Sequence, residues 1–184
     1  MFQRILVAID GSPTSNAGFK SAIQLASDQH ASLLALHVID ETSMVINLQD
    51  GYLPPSYVDT LYDSLRQSGK TILAKAQATA RAAGVEIIPV LVESGGQTVA
   101  HAIIRQARKL KADVIVLGTH GRRGLSRLVM GSDAEAVLRG ASVPVVLVRR
   151  PDHPRHAPPR KRSSPRAARV KPAAEKRPSP SPTA

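Results

Sequence analysis

The sequence VIVLGTHGRRGLSRLVMGSDAE, residues 114–135, decides how this chain is organised. It opens on an apolar, β-branched run at 114–117, which predicts a buried strand. A glycine-rich segment follows at 118–131, and the S-x-x-E form of residues 132–135 predicts the start of a helix. The stretch therefore predicts a strand, a glycine-rich loop and a helix in direct succession.

This succession predicts an anion site. Glycines let backbone N–H groups approach a ligand, and a helix N-terminus presents unpaired N–H groups with about half a positive charge. Arg122, Arg123 and Arg127 lie in the loop and add countercharge, so the pattern favours phosphate. The alternative is that the glycines serve turn geometry and Ser132 only caps its helix. Neither a G-x-x-x-x-G-K-[ST] P-loop nor a G-x-G-x-x-G fingerprint is present.

Strands and helices alternate along the first 150 residues. Predicted strands cover 2–9, 32–39, 85–92, 114–117 and 143–148, and predicted helices cover 15–30, 56–83, 98–110 and 132–139. Residues 41–55 are predicted to form a loop over the site. Right-handed crossovers then give an α/β fold, a Rossmann-like open five-stranded parallel sheet of order 3-2-1-4-5 with helices on both faces.

Single glycines and prolines refine this fold. Pro89 and Pro144 place strands three and five at opposite edges, because proline removes one ladder donor. Gly69 predicts an irregularity inside the second helix, and Gly84 predicts its end.

The sheet order also predicts where a ligand binds. Winding reverses between strands one and four, whose ends are Asp10 and Gly118, and open sheets bind ligands at such a reversal. Asp10 is therefore a predicted ligand contact, with turn capping as the alternative. His37 is expected to pack within its strand. His120 lies in the loop, where it either reaches a phosphate or is exposed.

Composition excludes several classes of protein. The chain has no cysteine, which excludes disulfides and Cys-based metal or redox sites. No apolar run approaches about 18 residues, so we expect no membrane span. The N-terminus lacks the charged-then-apolar pattern of a signal region, so we expect a cytoplasmic protein.

The net charge of +11 is concentrated in residues 151–184. They carry 9 Lys+Arg against 2 Asp+Glu and 9 of the 14 prolines, whereas residues 1–150 carry 16 Lys+Arg against 12 Asp+Glu. Such a composition predicts a disordered tail after a domain at 1–150. The tail is either a solvated segment or an electrostatic binder of nucleic acid or another polyanion.

Four motifs resemble the universal stress protein family over residues 1–150. They are ILVAIDGS at 5–12, LHVID at 36–40, PVVLV at 144–148, and a complete G-x2-G-x9-G-[ST] signature. That signature occupies Gly118, Gly121, Gly131 and Ser132. The resemblance implies a five-stranded Rossmann-like domain, usually dimeric, and the branch of the family that binds ATP.

The resemblance also implies roles for individual residues. Asp10 would lie against the ribose and phosphates, including through a phosphate-bound Mg²⁺, Val38 would contact adenine through its backbone, and Ala8 would line the base pocket. Gly118, Gly121, Gly131 and Ser132 would contact the phosphates or the ribose. From their place in the same segment, we also expect Thr119, His120, Arg122, Arg123 and Asp133 to belong to the binding site. A small or apolar residue commonly stands where this chain has Asp133, a carboxylate that opposes phosphate unless it points away.

The function implied is regulatory. ATP hydrolysis needs a positioned water, a metal and charge stabilisation, and neither a Walker lysine nor a kinase H-R-D motif is present. We expect an ATP-binding switch of the stress response with slow hydrolysis or none; AMP or another adenine nucleotide remains an alternative to ATP. The edge strand 143–148 is expected to pair with a second copy in a two-fold homodimer.

Overall fold

The computed structural model describes residues 1–41, 55–119 and 130–149, with side chains from residue 57 onward in the second range. These residues form five strands and four helices in alternation. The elements are β1 (Arg4–Ala8), α1 (Pro13–Gln29), β2 (Ser32–Ile39), α2 (Pro55–Ala82), β3 (Ile87–Glu93), α3 (Val99–Lys109), β4 (Val114–Gly118), α4 (Ser132–Gly140) and β5 (Val145–Val148). The predicted loop at 41–55 lies almost wholly outside the described residues.

All strand pairs are parallel, and the sheet order is β3-β2-β1-β4-β5. The predicted order and both predicted edges are confirmed. Pro89 lies within the edge strand β3, opposite Ala35, and Pro144 directly precedes the other edge strand, β5. Pro89 is tolerated because its nitrogen faces the unpaired side of β3, and Pro144 is tolerated because it precedes the first register pair of β5.

The core has two layers, one on each face of the sheet. Odd-numbered residues of β1 and β2, such as Ile5 and Leu33, pack under α1 and α2. Even-numbered residues, such as Leu6 and Leu34, pack under α3 and α4. The central strands are therefore apolar on both faces, which explains why they read as continuous hydrophobic runs.

Local chemistry sets the helix ends. Ser12 is the N-cap of α1, with its Oγ accepting from the Ser15 N–H at 3.1 Å, and Pro13 is the first helical residue. α1 therefore begins two residues before the predicted start at Ser15. Gly84 has φ +74°, a left-handed conformation that suits the end of α2, as predicted.

Gly69 does not interrupt α2, so the predicted irregularity is wrong. The helix is continuous from Pro55 to Ala82. A Cβ on Gly69 would lie 2.7 Å from Leu91 Cδ1 and 2.8 Å from His37 Cδ2. The glycine is explained by the close approach of α2 to the sheet.

The described elements all belong to one compact unit, Met1–Pro151. A second unit, Asp152–Ala184, lies outside the described residues, so the predicted tail stays a prediction. Among the helices that the structure describes, none is both long and apolar enough to cross a bilayer.

Candidate functional site

The carboxyl ends of β1 and β4 meet at the predicted reversal of the sheet. The register pairs Ile5 with Val114 and Val7 with Val116, so Asp10, two residues after β1, and Gly118, the last residue of β4, lie at the same end of the sheet. Strand pairing therefore brings these two predicted site residues to the carboxyl end of the sheet.

Asp10 forms the turn that leads into α1. Its Oδ1 accepts from the Ser12 N–H at 2.9 Å, and its own N–H donates to Ser15 Oγ at 3.1 Å. The turn-capping role is therefore present. A ligand contact by the same half-buried carboxylate stays a prediction.

The two ends of the glycine-rich loop are joined at its base. The Thr119 N–H donates to the Val148 carbonyl at 3.0 Å, and the Gly131 N–H donates to the Thr119 carbonyl at 2.9 Å. The sheet thus brings Gly118, Thr119 and Gly131 together. The other predicted loop residues lie outside the described residues; they are His120, Gly121, Arg122, Arg123 and Arg127.

Ser132 does not cap α4, so that alternative is wrong. The N-cap is Gly131, which has φ −63° and ψ 144° and makes no side-chain cap hydrogen bond. Ser132 is the first helical residue and is exposed. The N-cap of α4 therefore contributes no side-chain hydrogen bond, and Ser132 stands in the first turn of the helix.

Two carboxylates lie in the first turn of α4. Asp133 is exposed, and Glu135 accepts from Arg139 Nη2 at 2.9 Å. Both complement the positive end of the helix dipole. The expected effect of Asp133 on phosphate binding stays a prediction.

Gly118 is required by packing. A Cβ on Gly118 would lie 2.9 Å from the carbonyl carbon and oxygen of Thr14 and 3.0 Å from the Ser15 nitrogen. A Cβ on Gly18, one turn further along α1, would lie 3.3 Å from the Gly118 nitrogen. The first turns of α1 thus lie backbone to backbone against the tip of β4.

Ala8 and Val38 lie on the same face of the sheet, beneath α3 and α4. Ala8 is half-buried, and Val38 is 9% exposed. The Leu36 carbonyl accepts a hydrogen bond from the Ile9 N–H, and therefore faces β1. The Ile39 carbonyl accepts from the Ser94 N–H, and therefore faces β3. Since peptide groups alternate along a strand, Val38 directs its N–H and C=O toward the β1 side, beyond the last β1–β2 register pair, Ala8–Leu36.

His37 is packed, as predicted. It is 4% exposed, and its Nδ1 lies 2.7 Å from the Ile9 carbonyl oxygen. A carbonyl oxygen only accepts, so Nδ1 carries the proton and donates.

Two residues at the carboxyl end of the sheet were not predicted from the sequence. Ser94, which follows β3, is fully buried, and its Oγ has no partner among the residues that the structure describes. Glu41 Oε2 accepts from the Gly95 and Gly96 N–H groups, at 3.0 and 3.3 Å. The Ser-Gly-Gly turn after strand three was the available signal, because both glycines have positive φ.

An exposed ion pair ties α2 to the end of β3. Arg66 Nη2 lies 2.7 Å from Glu93 Oε1, with Asp63 also in reach at 3.3 Å. The Glu93 carboxylate, through its hydrogen bond and then its charge, raises the pKa of Arg66 above the ordinary value. Such exposed pairs contribute little stability.

Known proteins share this fold and sequence pattern. The model of the universal stress protein family matches residues 1–149. A universal stress protein of Methanocaldococcus jannaschii is 32% identical over 151 residues, covering 82% of this chain and 84% of the relative. A solved structure from the family in Burkholderia pseudomallei is 36% identical with a TM-score of 0.62, covering 79% of this chain and 94% of that one.

One solved relative carries an adenine nucleotide. It is a universal stress protein in complex with cAMP, 25% identical with a TM-score of 0.59, covering 80% of this chain and 97% of that one. The sheet order, the glycine signature and the family match over residues 1–149 lead to one conclusion: this chain belongs to the universal stress protein family.

Proposed function

We propose that this chain binds an adenine nucleotide, with ATP as the expected form, and acts as a regulatory switch of the stress response with little or no turnover. The observation that carries the proposal is the junction of Thr119 and Gly131, which sets the N-terminus of α4 beside the ends of β1 and β4. The complex of a related universal stress protein with cAMP supports an adenine ligand.

The phosphates would lie over the first turn of α4. That turn supplies backbone N–H groups and the Ser132 hydroxyl. Gly131 leaves room for close approach, since no side chain stands at the cap. Arg122 and Arg123 in the loop would add countercharge, and Asp10 would face the ribose or a phosphate-bound Mg²⁺.

The base would lie against Ala8 and Val38. The N–H and C=O of Val38 point to one side, so together they match the N1 acceptor and 6-amino donor of adenine. The apolar side chain of Ala8 would border the ring. This arrangement predicts a preference for adenine over hypoxanthine, which presents the reverse pattern.

Calorimetric titration of ATP with Mg²⁺ into the full chain tests the proposal. G131A is an informative variant, because φ −63° suits alanine and the backbone is not strained. We expect wild-type binding and a loss of about tenfold or more in G131A, since one methyl then stands against the phosphates. Wild-type protein that binds no adenine nucleotide would overturn the proposal.

A second candidate function is carried by the charge of residues 151–184, a net +7. Such a segment binds nucleic acid or another polyanion without sequence preference, and the affinity falls steeply with salt. Deleting 151–184 should abolish binding of a random duplex while leaving ATP binding intact. Duplex binding that survives the deletion would reject this function.

A further inference from the structure

The β1–β2 ladder ends beside Val38, where β1 itself ends. A regular parallel ladder would continue from the Ile9 N–H···Leu36 carbonyl bond, at 2.8 Å, to a bond from the Val38 N–H to the Ile9 carbonyl. That bond would add Ile9 and His37 to the register. The register instead ends at Ala8–Leu36.

The Ile9 carbonyl, which the Val38 N–H would bond in a regular ladder, accepts a hydrogen bond from a side chain. His37 Nδ1 donates to the Ile9 oxygen at 2.7 Å. His37 and Ile9 are odd-numbered residues on the α1 and α2 face, so this bond draws the carbonyl toward that face. Val38 belongs to the opposite face, and its peptide group is directed toward the β1 side, beyond the last register pair.

Gly69 makes this arrangement possible. A Cβ at position 69 would lie 2.8 Å from His37 Cδ2, so any larger residue in α2 would push the ring. His37 is also 4% exposed, and water competes little for its proton. The ring is therefore held between the helix and the Ile9 carbonyl.

We infer that His37 is a positioning residue for base recognition: by occupying the Ile9 carbonyl it keeps the Val38 peptide group available to the adenine ring. The inference rests on the proposed nucleotide function and deepens it. It assigns His37 an indirect role, since the imidazole need not touch the ligand. It also predicts that the phosphate subsite works without His37.

The test compares H37L with H37N. Asparagine and leucine have similar size, but only asparagine places an N–H donor near the position of Nδ1. In nucleotide-free H37L the Ile9 carbonyl is released to Val38, so we expect hydrogen exchange of the Val38 amide to slow. In H37N the exchange should stay close to wild type.

Binding supplies the second readout. We expect H37L to lose about three- to tenfold in ATP affinity, the range of one net hydrogen bond, and to lose its preference for ATP over ITP. Affinity for inorganic triphosphate should be unchanged, which a merely structural defect would not allow. H37N should restore both the affinity and the preference. If H37L does not fold, H37F retains a ring without a donor.

The outcomes separate the two proposals. Equal Val38 exchange in H37L and H37N would overturn the inference, as would an unchanged ATP preference in H37L. Wild-type protein that binds no nucleotide would overturn the proposed function and the base-contact role with it. The exchange comparison would still decide whether His37 interrupts the ladder.

Discussion

Gly118 and Thr14 lie so close that a Cβ on the glycine would come within 2.9 Å of the threonine carbonyl. The glycine that opens the family signature is thus explained by helix packing before any ligand is considered. The glycines of this motif therefore have different reasons for being glycine. Gly118 is required by packing, whereas Gly131, the N-cap of α4, has φ −63° and no positive-φ requirement.

G118A should destabilise the protein by about 1–3 kcal/mol, because the new methyl meets backbone that cannot move alone. Chemical denaturation measures the change. G140A is the matched control: its Cβ would lie 2.8 Å from Ile104 Cδ1, the flexible end of a side chain. G140A should be close to neutral. Equal effects in the two variants would contradict the packing explanation.

Asp10 is tested by a pair of substitutions. D10N keeps an oxygen to accept from the Ser12 N–H, so the free energy of unfolding should change by less than about 1 kcal/mol. The lost charge should weaken Mg²⁺-dependent ATP binding, as measured by calorimetry with and without the metal. D10A should lose stability as well. Unchanged Mg²⁺ dependence in D10N would leave Asp10 as a turn residue only.

The buried Ser94 hydroxyl is predicted to lower the free energy of unfolding. It has no partner among the described residues, and such a group costs about 1–3 kcal/mol of desolvation. S94A should therefore be neutral or stabilising by thermal denaturation. A clear loss of stability would show that the hydroxyl is hydrogen-bonded in solution.

The proposed homodimer is tested at the edge strand β5. Val146 is 37% exposed there, and in a two-fold strand pair V146K would bring like charges close together. Sedimentation should show a weaker dimer. I88K is the matched control, because Ile88 is exposed at the opposite edge, in β3. Dissociation by I88K rather than V146K would place the contact at β3.

Sequence pattern predicted most of the fold because the central strands are apolar, β-branched and bounded by turn residues. The range of β2 was predicted without error, and two prolines identified both edges. Element ends were less accurate: α1 begins two residues early because Ser12, not a later residue, is its cap.

Three features could not be predicted because they depend on contacts between distant elements. The reason for Gly69 is the position of His37, 32 residues earlier. The cap of α4 is Gly131, although S-x-x-E favours Ser132. The hydrogen bond between His37 Nδ1 and the Ile9 carbonyl, beside the last β1–β2 register pair, joins residues 28 positions apart. The sequence could predict that the candidate site lies at the carboxyl ends of β1 and β4, but it could not predict these three contacts.

Amide chemical-shift mapping on addition of ATP is the most direct test of the central claim. We predict that the amides of Val38, Thr119, Gly131 and Ser132 shift, and that those lining the cavity near Ile104 and Ala141 at the other end of the sheet do not. Shifts confined to that cavity, or none at saturating ATP, would contradict a nucleotide site where β1 and β4 end.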